Sequence, residues 1–199
     1  MAPVRSGMVS MRTVIAVLAG GVVALGPASS RAMVMEALSV PEMSRTADLV
    51  VRGVVVATAS RYEDAPGSHR IVTDVTVRVS ERVVGRESGP DVVVTTLGGV
   101  VERHGQVVPG SPRFQVGEEV VVFLHPPRVT SVGPRRAVVG LAQGVFHVTR
   151  ASPAARAVAR QSLRGIAFPK GDVVDPGDVD LDDLLRAVRS EAAAPQGPR

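Results

Sequence analysis

The amino-acid sequence predicts a mainly β protein: a small, closed or nearly closed antiparallel barrel of five or six strands, preceded by a short helix and followed by helical segments. Three observations carry this expectation. Valine makes up about a fifth of the chain, and β-branched side chains favour strands. Ile71, Thr73, Val75, Val77 and Val79 alternate with Val72, Asp74, Thr76, Arg78 and Ser80, the period-2 pattern of a strand with one face on a core. The apolar runs are joined by turn signals, with no strand–helix alternation of the kind that builds a parallel sheet. Closure is expected because a valine-rich sheet would otherwise leave its edges open to other chains.

The chain starts with what reads as an export signal over residues 1–32. Arg5 and Arg12 precede the apolar run Thr13 to Gly26, and Ser30-Arg31-Ala32 offers small residues for a signal peptidase. No acid appears before Glu36. The run is about 14 residues, whereas a membrane-spanning helix takes roughly 20. Cleavage after Ala32 is the expectation, with an uncleaved anchor as the alternative. The protein is thus expected to be exported, periplasmic or secreted and of bacterial type, with no membrane span after cleavage.

Ser39-Val40-Pro41-Glu42 has the form of a capping box and predicts a short helix from about Val40 to Ala47. Leu49 to Ser60 reads as a long strand, with Gly53 marking a bulge or bend. Glu63 to Ser68 contains Pro66-Gly67 and reads as a turn into the alternating strand from Ile71. Glu87 to Pro90 breaks that strand, and Val92 to Leu97 resumes. Gly98 to Arg113 is a long connection with four glycines and two prolines. Connections of that length are more often functional than accidental. Val120 to Leu124 is the next strand, stopped by Pro126-Pro127, and Ala137 to Leu141 and Val145 to Thr149 complete the set.

Good helix formers after Ser152-Pro153 predict a helix reaching Leu163. Another is expected after Asp180, a plausible N-cap, because Leu181, Leu184, Leu185 and Val188 share one face. The organisation is then a signal peptide at 1–32, a barrel domain at 33–150, a C-terminal helical segment at 151–191 and a disordered tail at 192–199.

The whole chain carries a formal charge of +4, but the leader takes three arginines and no acid with it. What remains is a mildly basic body with an acidic tail. There is no cysteine, which excludes disulfides, thiolate metal sites and a cysteine nucleophile. Nucleic-acid binding is disfavoured too, since only Tyr62 offers an exposed stacking platform.

The stretch Ala47 to Val56 (ADLVVRGVVV), Ile71 to Gly85, Val92 to Thr96 and Phe114 to Leu124 resembles the netrin-like modules, including the tissue inhibitors of metalloproteinases. It also resembles uncharacterised exported bacterial proteins with a pattern matched here by Gly98, Gly99, Gly110, Phe114, Val116, Gly117, Glu118, Val120, Phe123 and Leu124. The resemblance spans roughly Pro41 to Val148 and implies a five-stranded OB-type barrel with flanking helices. It implies a protein-binding or surface-binding module without naming the target. In the inhibitors, a disulfide-tethered N-terminal Cys presents its amine and carbonyl to a protease zinc. With no cysteine here, no inhibitory residue carries over.

The sequence holds no catalytic signature, no cofactor motif and no local metal motif: His69, His104, His125 and His147 are scattered, and no P-loop or nucleophile elbow is present. A carboxylate pair from Asp74 with Glu118 or Glu119 is conceivable only if folding joins them; Asp74 reads more simply as an exposed strand residue. The long connection is the better candidate. Its Gly98 and Gly99 could admit a close partner, and Arg103, His104, Gln106 and Arg113 are hydrogen-bond donors. The functional expectation is an exported, non-enzymatic binding or interaction module, its partner another exported protein. The alternatives are a hydrolase with an unrecognised site and a protease-inhibitor-like protein.

Overall fold

A computed structural model describes residues 33–63, 67–86, 89–152, 154–169 and 177–194; the predicted leader and the last five residues of the predicted tail lie outside them. In chain order the strands are β1 (Met33–Val34), β2 (Leu49–Tyr62), β3 (Ile71–Val84), β4 (Asp91–Leu97), β5 (Gly99–Val101), β6 (His104–Gln106) and β7 (Glu119–Leu124). They continue as β8 (Arg128–Thr130), β9 (Gly133–Arg135), β10 (Val145–Thr149), β11 (Val158–Gln161), β12 (Ile166–Ala167) and β13 (Val179–Asp180). The helices are α1 (Val40–Thr46) and α2 (Leu181–Ala193).

The frame is a seven-stranded sheet in the order β13-β11-β10-β7-β2-β3-β4, with every neighbouring pair antiparallel. This is a larger sheet than the five or six strands expected. The long central strand β2 is irregular in its pairing with β3 at three places, one of them between Arg52 and Gly53. Gly53 belongs there because a Cβ would stand 2.3 Å from the Arg78 carbonyl oxygen.

Both faces of the sheet are buried along β7 and the first half of β2, which read as near-continuous apolar runs, whereas β3 and β4 alternate with one face partly open. On one face Leu49, Val51, Val75, Val77, Val94, Val120, Val122 and Leu124 form a core with Val138 and Val145. On the other, Val50, Val121, Phe123, Phe146 and Val148 pack against Met43 of α1 and Leu181, Leu184, Leu185 and Val188 of α2. The Phe123 and Phe146 rings lie 5.9 Å apart at the centre of that layer. At about 25 cal/mol per Å² of apolar surface buried, such two-sided burial supplies the stability that disulfides would otherwise supplement.

The helices start where the sequence places them. Ser39 and Glu42 cap α1 reciprocally, and the Asp180 carboxylate accepts from the amides of Asp182 and Asp183 at the start of α2. Arg45 of α1 bonds Glu191 of α2 at 2.5 Å, so the helices lie side by side. The first strand is also tied to a distant part of the chain: β1 pairs in parallel with β12.

Three expectations need correction. The helix expected up to Leu163 is absent over Val158–Gln161, which form β11; Ala159 is fully buried beside β10, and ladder pairing with β10 and β13 overrides local helix propensity. The strand expected over Ala137 to Leu141 is reduced to single bridges at Arg136 and Val138, followed by a 3₁₀ turn over Leu141–Gly144. Gly140 and Leu141 both have positive φ, which no strand accommodates. Ala192 and Ala193, expected to open a disordered tail, instead close α2.

The 136–139 segment nevertheless has pairing on two sides. The Thr95 amide donates to the Arg136 carbonyl at 2.8 Å and the Arg136 amide to the Val93 carbonyl at 3.1 Å. The Val139 amide donates to the Phe123 carbonyl and the His125 amide to the Ala137 carbonyl, each at 2.9 Å. Residues 136–139 thereby touch β4 at one edge of the sheet and β7 in its middle. Among the described residues no helix is long and apolar enough to cross a membrane.

Candidate functional site

The long connection is not a featureless loop. Gly99–Val101 and His104–Gln106 fold back as a hairpin around a two-residue turn, where Glu102 takes φ 53°. The base of the hairpin is clamped to β3 and β4, and the Val100 amide donates to Ser60 Oγ of β2 at 3.4 Å. Thr73 Oγ1 donates to the Gly98 carbonyl at 2.7 Å, Gln106 Oε1 accepts from the Ile71 amide at 2.7 Å, and Ser111 Oγ donates to the Leu97 carbonyl at 2.7 Å. Gly99 has φ 139°, and a Cβ there would stand 2.4 Å from both Ser60 Oγ and Thr73 Oγ1. Its bareness lets the hairpin seat on the sheet.

The six residues singled out in the sequence therefore divide. Gly98, Gly99, Gln106 and Arg113 line one cavity of about 390 Å³ between the hairpin and the end of the sheet. Of these, Gly98, Gly99 and Gln106 hold the hairpin in place, and Arg113 is exposed at the cavity's edge. Arg103 and His104 do not join them: both lie exposed at the hairpin turn, where His104 Nδ1 is 3.2 Å from Tyr62 Oη.

A second cavity, of about 460 Å³, shares Thr96, Leu97 and Pro112 with the first and extends beneath the β8–β9 hairpin. Nothing in the sequence singles it out. Its rim carries Arg61, Arg128 and Arg135, while Val72, Val138 and Leu141 furnish apolar walls.

Asp74 organises this rim, which corrects its reading as an exposed strand residue. Arg61 Nε donates to Asp74 Oδ2 at 2.9 Å, Arg135 Nε to the same oxygen at 3.1 Å, and Thr95 Oγ1 to Oδ1 at 2.6 Å. Burial alone raises the pKa of this carboxyl, but the three donors and the charge of Arg61 outweigh it and hold it below the ordinary aspartate value. The donors lie 13, 21 and 61 residues away in sequence, too far for any local motif to announce them.

The other carboxylates weighed for chemistry have separate partners. Glu119 sits between Arg52 at 2.6 Å and Arg150 at 2.5 Å; burial raises its pKa, and the two guanidinium groups bring it below the ordinary range. Glu118 lies 3.1 Å from His147 Nδ1. A general acid needs a proton affinity near the working pH, and the shifts at Asp74 and Glu119 run the other way. Among the described residues, no cluster of three or more His, Asp or Glu is placed to hold a metal ion.

The chain just after position 32 is fastened without cysteine. The Met33 amide donates to the Gly165 carbonyl at 2.9 Å and the Met35 amide to the Ala167 carbonyl at 3.0 Å, while Gln143 bonds Glu36 and Leu38 through its side-chain amide. Compared with known proteins, the chain matches no family model, no curated sequence and no solved structure, so its chemistry is read from its own geometry.

Proposed function

We propose that this protein is an exported, non-enzymatic binding module built on a small OB-type barrel, and that the β5–β6 hairpin docks another exported protein. The observation that carries this reading is a hairpin held at its base that leaves apolar and cationic side chains exposed along its outer part. Val100 and Val107 are 66 % and 76 % exposed, with Tyr62 exposed beside the hairpin turn. Neither Arg103 nor Arg113 has a hydrogen bond or ion pair among the described residues. Exposed apolar side chains flanked by cations, on a segment that is already ordered, lower the entropic cost of docking. A barrel is supported by the two-sided pairing of residues 136–139 and by the shared core of Val94 in β4, Val120 and Val122 in β7, and Val138 between them.

The test is capture from an exported-protein extract by the purified protein, compared with the double variant Val100→Asp, Arg103→Glu. Both side chains are exposed and take no part in the hairpin's hydrogen bonds to the sheet, so the variant keeps the parent melting temperature. The expected result is a partner retained by the parent and depleted about tenfold or more by the variant. Identical partner profiles would remove the hairpin from the function.

A further inference from the structure

The second cavity has features that the hairpin reading does not use. Its apolar part is formed by Val72, Leu97, Val138 and Leu141, and its volume of about 460 Å³ lies in the range of small-molecule pockets. One side is cationic in a way that folding alone leaves unexplained. Arg128 and Arg135 stand directly opposite each other across the two-stranded β8–β9 ribbon, so their side chains leave the same face as near neighbours. Like charges in that position are destabilising.

Among the described residues, only part of the charge of Arg128 and Arg135 is answered. Arg135 spends Nε on Asp74 and Nη1 on the Pro134 carbonyl, and Nη2 keeps its hydrogens. Asp74 is already shared with Arg61, so one carboxylate faces two guanidinium groups. The Arg128 side chain is exposed and makes no hydrogen bond or ion pair among the described residues. Glu63, the acid on the rim among the described residues, is bonded by Arg70 and Ser68.

We propose that this cleft binds an amphiphilic anion, a small molecule with an apolar body and a single carboxylate or phosphate head. The body lies against Val72, Leu97, Val138 and Leu141, and the head bridges Arg128 and Arg135. A guanidinium presents paired donors that match the oxygens of either head group, and two of them converge from opposite strands. The apolar walls give the body a place out of water, so head and body bind together more tightly than either part alone.

Calorimetric titration of the purified protein with monomeric decanoate and with decyl phosphate tests this. The two arms separate a carboxylate ligand from a phosphate ligand. Acetate and inorganic phosphate supply the head without the body, and decyl maltoside the body without the charge. The expected result is one-to-one binding of decanoate or decyl phosphate, at least about tenfold tighter than their controls. Arg128→Glu should weaken it about tenfold or more and Arg128→Lys much less, with unchanged far-ultraviolet circular dichroism in both. Equal binding of decyl maltoside, equal binding of the bare head groups, or an unchanged affinity in Arg128→Glu would each overturn the proposal. So would failure of both decyl anions to bind the folded protein. The Val100→Asp, Arg103→Glu variant should bind the decyl anion normally, which separates this site from the hairpin's partner.

Discussion

Asp74 holds two guanidinium groups and a threonine hydroxyl at the mouth of a cavity, and this one residue joins stability to recognition. Its carboxyl is ionised more readily in the folded chain than in the unfolded one. The contribution is therefore complete above the ordinary aspartate range near pH 4 and is lost as pH falls through the lower folded value. Asp74→Asn should cost about 1–3 kcal/mol at neutral pH, because it leaves Arg61 and Arg135 without their shared anion. Thermal melts of parent and variant across pH check the sign: the gap in melting temperature should be widest near pH 6 and shrink towards pH 2. A gap of constant size would show that the lost interaction is not ionic. Sequence shows Asp74 as a polar position in an alternating strand and no more. Its environment comes from Arg61 on the preceding strand, Thr95 on the following one and Arg135 from a hairpin further on.

Among the elements, legibility tracks how locally each is determined. The start of α1 is legible because its cap is reciprocal between Ser39 and Glu42, three residues apart, and α2 because its four buried side chains repeat at helical spacing. β11 is not, since Ala-rich sequence favours helix and only the vacancy beside β10 makes it a strand. The β8–β9 hairpin is hidden by Pro126-Pro127 and Gly133-Pro134, which read as loop punctuation. The candidate loop is half legible. Its glycines stand out, and in the fold Gly98 and Gly99 seat a hairpin on the sheet. For α2 the expectation is quantitative: Leu184→Ala, at a position 2 % exposed, should destabilise by about 2–5 kcal/mol. Arg186→Ala, on the outer face, should stay within about 0.5 kcal/mol. Urea unfolding of the two variants distinguishes a helix that covers the sheet from one that merely rests near it, for which both costs would be small.

For the whole molecule, the sequence announces a mainly β chain through its valine content, but not how the edges of the sheet are managed. The proposed closure through residues 136–139 makes a direct expectation for amide exchange. The amides of Thr95, Arg136 and Val139 should exchange as slowly as those of central β2, because opening them would require opening the core around Val94 and Val138. Exchange at loop rates for these three amides would mean that β4 is a free edge. Another long-range feature bears on the order of assembly. β1 pairs with β12, and α1 lies against α2, so part of what holds the first elements of the described chain comes from the last. A ribosome that has made everything up to β10 has produced the sheet face under Met43 but neither β12 nor α2, so the beginning can settle only in part. The middle strands must therefore wait with one face uncovered, and folding should be slow and all-or-none rather than progressive from the N-terminus.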